Sequence, residues 1–292
     1  MTSDFSMPER DGLVAGAEEV PGLVSVIIPT YNCAEFLEPA LQSVFSQTYS
    51  FLEILLVDDG STDHTREVLA PYIDTGRIQY QFQENRGPAA ARNLALRRAR
   101  GEFVAFLDAD DLWFPEKLEK QVSVLQRNPD VGMVYSDSEW FGEEWERQRA
   151  ASRKLRECER RKTEFFCRGD IYKILLAQNF IPTMTVLVRR SILNKTGPFL
   201  EQIHGRRFSY GEDFEMWLRI ARICKVEFNL QKSVRRRVHP GQLTANKRYG
   251  YRQLCALYGY LWSQKDCPER SLVARKYLES TLKRIAGAIL RK

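Results

Sequence analysis

From Leu23 to Tyr135 short apolar runs alternate with amphipathic stretches, and this alternation restricts the possible folds more than any other feature of the chain. The runs are LVSVII (23–28), LEILLV (52–57), RIQYQF (77–82), FVAFL (103–107) and VGMVY (131–135), separated by helix-patterned segments at 34–47, 64–73, 88–100 and 115–128. Near-continuous apolar strands are those covered on both faces, so the pattern predicts an α/β fold with a mostly parallel, Rossmann-like sheet flanked by helices. In the first helix Phe36, Leu37, Ala40, Leu41, Val44 and Phe45 recur at three-to-four spacing and supply a stripe for the sheet. Pro39 is acceptable there only near the first turns, where a missing N–H costs least.

Outside this stretch the pattern changes. Residues 1–22 are polar and punctuated by Gly12, Gly16, Pro21 and Gly22, and are expected to form a flexible tail. The main domain then spans 23–245: a first half (23–140), an exposed charged insertion (141–170) and a second half (171–245). That second half carries an apolar block from Ile171 to Val188, a Gly- and Arg-rich loop to Gly211, a short helix over 212–223 and a strand near Val226 to Leu230. Residues 246–292 form a basic helical C-terminal segment, with Leu272, Tyr277, Leu278, Leu282, Ile285 and Leu290 on one apolar face.

Polar clusters follow the apolar runs: Pro29-Thr30-Tyr31-Asn32 after the first, Asp58 to Asp63 after the second, Asp108-Ala109-Asp110-Asp111 after the fourth. The carboxyl ends of strands in an open α/β sheet line the ligand crevice, so the three clusters should converge on one site. Asp63 stands where an acid commonly starts a helix, and a capping role is its expected one. Asp108, Asp110 and Asp111 crowd several carboxylates together, which raises their pKa values unless a cation neutralises them. Hard oxygen donors suit Mg²⁺ or Mn²⁺, and such an ion suits a phosphate-bearing ligand.

Five segments in order, VSVIIPTYN, LLVDDGSTD, NRGPAAARN, FVAFLDADD and GEDFEMWLR, closely resemble the family 2 glycosyltransferases of the GT-A fold over roughly residues 24–240. The resemblance implies an inverting, metal-dependent transfer of a sugar from a nucleotide sugar, with a UDP-sugar as the expected donor. The acceptor it implies is a hydroxyl on a cell-surface glycan or lipid-linked molecule. It places Pro29 and Tyr31 beside the base, Asp59 on the base edge with Asp58 supporting that loop, and Arg92 near the base or diphosphate. Asp108 and Asp110 match the family's DxD pair, Asp110 binding Mn²⁺ or Mg²⁺ and Asp108 the ribose or a metal-bound water.

Gly211-Glu212-Asp213 with Trp217 resembles the family's acidic motif before a helix. Asp213 is then the expected general base, Glu212 the second choice, and Trp217 an acceptor contact. An alcohol proton must leave as the new bond forms, and a carboxylate within hydrogen-bond reach can take it. The competing reading is that both acids merely favour a helix N-terminus. His239, in RRRVHPGQLT, resembles the family's loop that closes over diphosphate and metal; Pro240-Gly241 could equally mark a plain turn. Among Arg235, Arg236 and Arg237 one guanidinium, Arg237, is expected to grip phosphate, since its planar fork matches an oxyanion.

Other classes are disfavoured. No GxxxxGK[ST] and no GxGxxG after a strand is present, which argues against a P-loop or dinucleotide fold. A non-catalytic transferase-like scaffold would not need all these carboxylates. Lys and Arg number 44 against 38 acids, a net +6 that suits an anionic small molecule or membrane surface without requiring nucleic acid. The six cysteines show no CxxC or Cys/His metal spacing, so free thiols in a reducing cytosol are expected. With no apolar stretch long enough to span a bilayer and no signal-peptide pattern at the start, the expected location is cytoplasmic, with a peripheral place at the inner face of the membrane. Residues 246–292 carry eleven Lys and Arg against three acids. That helical segment either lies weakly on an anionic membrane or packs on the domain or a second subunit, which leaves oligomerisation open.

Overall fold

The computed structural model describes residues 18–151, 168–243 and 246–289. Its centre is an eight-stranded sheet ordered β3-β2-β1-β4-β7-β6-β10-β5. The strands are β1 (Val20–Thr30), β2 (Leu52–Asp58), β3 (Gln79–Phe82), β4 (Gly101–Phe106), β5 (Leu112–Trp113), β6 (Val131–Phe141), β7 (Leu187–Arg189) and β10 (Lys225–Arg237); β8 (Gln202–Ile203) and β9 (Arg206–Arg207) form a separate hairpin. Strands β3, β2, β1 and β4 pair in parallel, as do β6 and β10, while β7 runs antiparallel between β4 and β6 and β5 antiparallel to β10. The expected mostly parallel α/β sheet is thus present, with β5 and β7 as reversed strands that periodicity did not reveal.

The period-two alternation of β1 divides the core into two layers. Val24, Val26 and Ile28 point to one face, packing with Leu37, Leu41 and Val44 of α1 (Ala34–Phe45), Leu69 of α2 (Thr65–Asp74) and Leu118, Val122 and Leu125 of α4 (Lys117–Arg127). Ile27 points to the other face, where α3 (Pro88–Leu96), α6 (Tyr172–Ala177), α7 (Arg190–Thr196) and α8 (Glu212–Ile220) cover β4, β6 and β7. Pro39 lies in the second turn of α1, close to where its sequence position allows it.

Three strand boundaries differ from the sequence expectation. Strand β1 begins at Val20, whose N–H donates to Arg100 O at 2.8 Å, so the last residues of the supposed tail are sheet; residues 1–17 lie outside the described residues. Strands β6 and β10 run well past Tyr135 and Leu230, because they pair with each other through Arg237↔Phe141 with register shifts on the way. Ladder pairing carries polar residues that local β-propensity would leave in a loop. Of the charged insertion, α5 (Glu143–Ala151) is helical, and 152–167 lie outside the described residues. The C-terminal segment is a hairpin of α9 (Lys247–Ser263) and α10 (Arg270–Ile289).

That hairpin divides the predicted apolar face. Val273 of α10 and Leu257 and Tyr258 of α9 are buried in the core layer that contains Ile27, and Leu272 packs partly against it. Leu278, Leu282 and Ile285 are 59%, 57% and 46% exposed. One helical segment therefore packs on the domain and also keeps an apolar stripe outward.

Candidate active site

The register Thr30↔Asp58 and Ile27↔Phe106 brings the ends of β1, β2 and β4 to one sheet edge, so the three polar clusters meet. The first two are laced together. Asn32, at a φ of 50°, donates its N–H to Ser61 Oγ (2.9 Å) and accepts from Thr62 N–H at Oδ1 (2.8 Å). Asp63 acts as the expected cap for two helices at once, Oδ1 accepting from Thr65 N–H and Oδ2 from Ala34 N–H at the start of α1, both at 3.1 Å.

Asp58 and Asp59 are almost wholly buried and spend their oxygens on loops. Asp58 accepts from Ser61 N–H (2.8 Å) and from the Tyr80 hydroxyl (3.2 Å). Asp59 accepts from the Gln83 amide (2.7 Å) and from Arg86 N–H and Gly87 N–H (both 2.8 Å). Three donors thus converge on Asp59, which sets the 83–87 loop that leads into α3. Gly87 is obligatory there, since its φ is 96° and a Cβ would stand 3.0 Å from Arg207 Nε. Pro29 is partly buried and Tyr31 is 48% exposed, leaving both at the open mouth above this edge.

The third cluster faces the end of β10. Asp110 Oδ2 lies 3.0 Å from His239 Nε2. Arg237 donates from its backbone N–H to Asp111 Oδ1 (2.7 Å) and from Nε to Asp110 O (2.9 Å), and its guanidinium lies over the Phe36 and Phe141 rings. Phe36 also packs on the His239 ring at 4.7 Å. Burial, then Asp110 and Asp108, push Asp111 well above the usual carboxylate range, so its proton balance is set by the cluster.

Asp108 Oδ1 accepts from Arg92 Nη2 at 2.9 Å. Among the described residues no three His, Cys, Asp or Glu side chains gather to hold a metal ion. Asp110 and His239 do present two donors side by side. A cation of the Mg²⁺ type needs only one or two protein ligands when waters and substrate phosphates supply the rest, so these two residues fit such an ion.

Arg92, expected near a base or diphosphate, has two carboxylate partners within the protein. Its guanidinium is buried and forks between two carboxylates, Nη2 to Asp108 and Nη1 to Glu212 Oε1 at 2.7 Å. Desolvation pushes Glu212 up to about 7, with Arg92 opposing and Asp213 adding to the rise. Glu212 is thus an anchor inside the protein. Asp213 is more open, its Oδ2 accepting from the Thr183 hydroxyl at 2.7 Å and its Oδ1 from Phe214 N–H at 2.6 Å.

Trp217 is fully buried against Phe106 and Phe199, so its assignment as an acceptor contact is withdrawn in favour of a core role. Thr183 is the site residue that sequence reasoning missed. It sits in an apolar block with no motif around it, and only the packing of a 3₁₀ turn, Thr183–Thr185, brings it to Asp213.

A mostly parallel sheet flanked by helices, with two reversed strands and with carboxylates and cations gathered at the carboxyl edge of its parallel strands, is the architecture of the GT-A class. The model of the glycosyl transferase family 2 matches residues 25–197, and the chain belongs to that family. It is 33% identical over 231 residues to an uncharacterized glycosyltransferase of Rickettsia typhi, covering 76% of this chain and 66% of the relative's own length. It is 34% identical over 200 residues to the Escherichia coli UDP-Glc:alpha-D-GlcNAc-diphosphoundecaprenol beta-1,3-glucosyltransferase WfgD, covering 68% of this chain and 69% of that one. The fold is similar to that of the mannosyltransferase PcManGT from Pyrobaculum calidifontis, solved with GDP-Man and Mn²⁺. The TM-score is 0.62 at 21% identity, over 97% of this chain and 80% of that one.

Proposed function

We propose that this chain is an inverting glycosyltransferase that moves a sugar from a UDP-sugar to a hydroxyl of a cell-envelope glycan or lipid-linked acceptor. The observation that carries the reading is the division of labour between adjacent carboxylates: Glu212 is buried and held by Arg92, whereas Asp213 is only half-buried and oriented by Thr183. A base that must reach an incoming hydroxyl has to be the accessible one of the pair, so Asp213 takes the acceptor proton. Pro29 and Tyr31 flank the base. The outer edge of the Arg237 guanidinium, stiffened by its two aromatic neighbours, grips the diphosphate.

Asp110 and His239 are the residues that would hold Mn²⁺ or Mg²⁺, and Asp108 stands beside them on its Arg92 tether. A bound divalent cation supplies stabilisation of the charge that develops on the departing nucleoside diphosphate. The chain's own part is to orient the donor, present Asp213 on the opposite side of the sugar, and drive a single displacement that inverts the anomeric carbon. No protein nucleophile is used. The donor class is supported by the UDP-Glc named in the WfgD description.

The exposed stripe Leu278, Leu282 and Ile285 supports a peripheral contact with an anionic membrane surface. Arg275, Lys283 and Arg284 are exposed on the same helix, the arrangement of an interfacial amphipathic helix. Among the described residues no helix is long and apolar enough to cross a membrane. The central test is a thermal-shift screen of UDP-glucose, UDP-GlcNAc and GDP-mannose with Mn²⁺, followed by UDP release from the stabilising donor. Stabilisation by UDP-sugars that depends on Mn²⁺ is the expected outcome, and indifference to all three would refute the reading.

A further inference from the structure

Three successive residues of the 3₁₀ turn Thr183–Thr185 are each held by a different part of the molecule. The Thr183 hydroxyl donates to Asp213 Oδ2 at 2.7 Å. Met184 O accepts from Trp113 Nε1 at 3.0 Å, and Thr185 O accepts from Gln121 Nε2 at 2.7 Å. Trp113 lies in β5, two residues beyond Asp111, and Gln121 lies in α4 just after it. One short turn therefore ties the base end of the site to the segment that follows the aspartate cluster.

The bracing is internal. Trp113, Gln121, Met184 and Thr185 are all buried, and the wholly buried Lys117 donates to Gln121 Oε1 at 2.7 Å while lying 4.2 Å from the centre of the Trp113 ring. Burial pulls the Lys117 amine well below its ordinary range. Buried hydrogen bonds of this kind hold the turn in place, because a shift that breaks one leaves a donor or acceptor unsatisfied.

We propose that Thr183 is a positioning residue for Asp213, and that the turn carrying it is preset by Trp113 and Gln121 from the aspartate side. This rests on Asp213 being the base. The hydroxyl fixes Oδ2, the Phe214 N–H fixes Oδ1, and the carboxylate plane is thereby set before any acceptor arrives. Orientation achieved in advance lowers the cost of reaching a reactive geometry.

The test compares Thr183→Val, which keeps the shape and removes the donor, with Thr183→Ser, which keeps the donor. Crystal structures report the Asp213 rotamer, and UDP release from UDP-glucose with water as acceptor reports turnover. Expected for Thr183→Val are a displaced Asp213 carboxylate and a kcat lower by about tenfold, with KM for UDP-glucose within about twofold. Thr183→Ser should restore both. An unmoved Asp213 in Thr183→Val overturns the inference whatever the activity. An unmoved kcat in Thr183→Val when Asp213→Asn is strongly impaired overturns it as well. A displaced Asp213 with unchanged UDP release in both Thr183→Val and Asp213→Asn would instead refute Asp213 as the base. A fall in kcat and a rise in KM that Thr183→Ser does not rescue would assign Thr183 a packing role only.

Discussion

Arg92 and Glu212 stand 120 residues apart in the chain, yet Nη1 of one donates to Oε1 of the other at 2.7 Å inside the protein. The same guanidinium holds Asp108 at 2.9 Å, so one buried cation joins the aspartate cluster to the acidic helix start. Removing either partner of a buried pair strands an uncompensated charge, which is far costlier than the pair's own net worth.

Stability should carry the signature of Glu212. Its pKa is raised from the ordinary 4.5 to about 7 chiefly by burial, so the folded state binds a proton that the unfolded state has released. The contribution is fully present below about pH 4.5 and is lost as pH rises to about 7, on the order of 1–3 kcal/mol. Denaturant titrations across that window should show a steeper decline for the wild-type chain than for Glu212→Gln. Parallel curves would contradict the assignment.

Asp213→Asn should leave UDP-glucose binding near the wild-type level while slowing transfer by roughly 10²-fold or more, the scale of general-base loss. Calorimetric binding together with saturation kinetics separates the two effects. Weakened donor binding at an unchanged maximal rate would make Asp213 a donor residue.

Asp110→Ala should abolish the Mn²⁺ response, both in donor-dependent thermal stabilisation and in UDP release, without unfolding the chain, because the side chain is only partly buried and its bond to His239 lies outside the apolar core. His239→Ala should weaken the same response to a smaller degree. Manganese titrations monitored by electron paramagnetic resonance provide a readout independent of turnover, and unaltered Mn²⁺ affinity in Asp110→Ala would remove that residue from the metal site.

Trp217→Ala should cost about 3–5 kcal/mol of folding stability, the usual range for emptying a buried aromatic site. Trp217→Phe should retain most of it, since Phe106 and Phe199 still have a ring to pack against. Measured unfolding free energies decide between this core role and a surface one.

Replacing Leu278, Leu282 and Ile285 together by Ser should eliminate salt-sensitive binding to phosphatidylglycerol-containing vesicles and leave the melting temperature close to wild type, as all three side chains are already outside the core. Each cation near the surface adds about 1 kcal/mol at low ionic strength, so flotation at low and high salt reads the electrostatic part directly. Equal flotation of wild type and the triple variant would exclude the stripe as the contact.

The sequence by itself determined the class of fold and the place of the site. Runs such as Val24 to Ile28 and Phe103 to Phe106 state by their apolar continuity that both faces are covered, and the polar residues that end them sit at a strand terminus by chain connectivity alone. The capping role of Asp63 was readable for the same reason, being a local backbone requirement. Tertiary structure alone decided what each charged side chain meets. Nothing near Arg92 in sequence says that its partners are Asp108 and Glu212, nothing near Thr183 says that it faces Asp213, and nothing near Asp59 says that the 83–87 loop donates to its oxygens. Periodicity records which face a residue occupies. The neighbour across that face is supplied by another segment, and a few ångströms of its placement decide whether a carboxylate is an anchor, a ligand or a base.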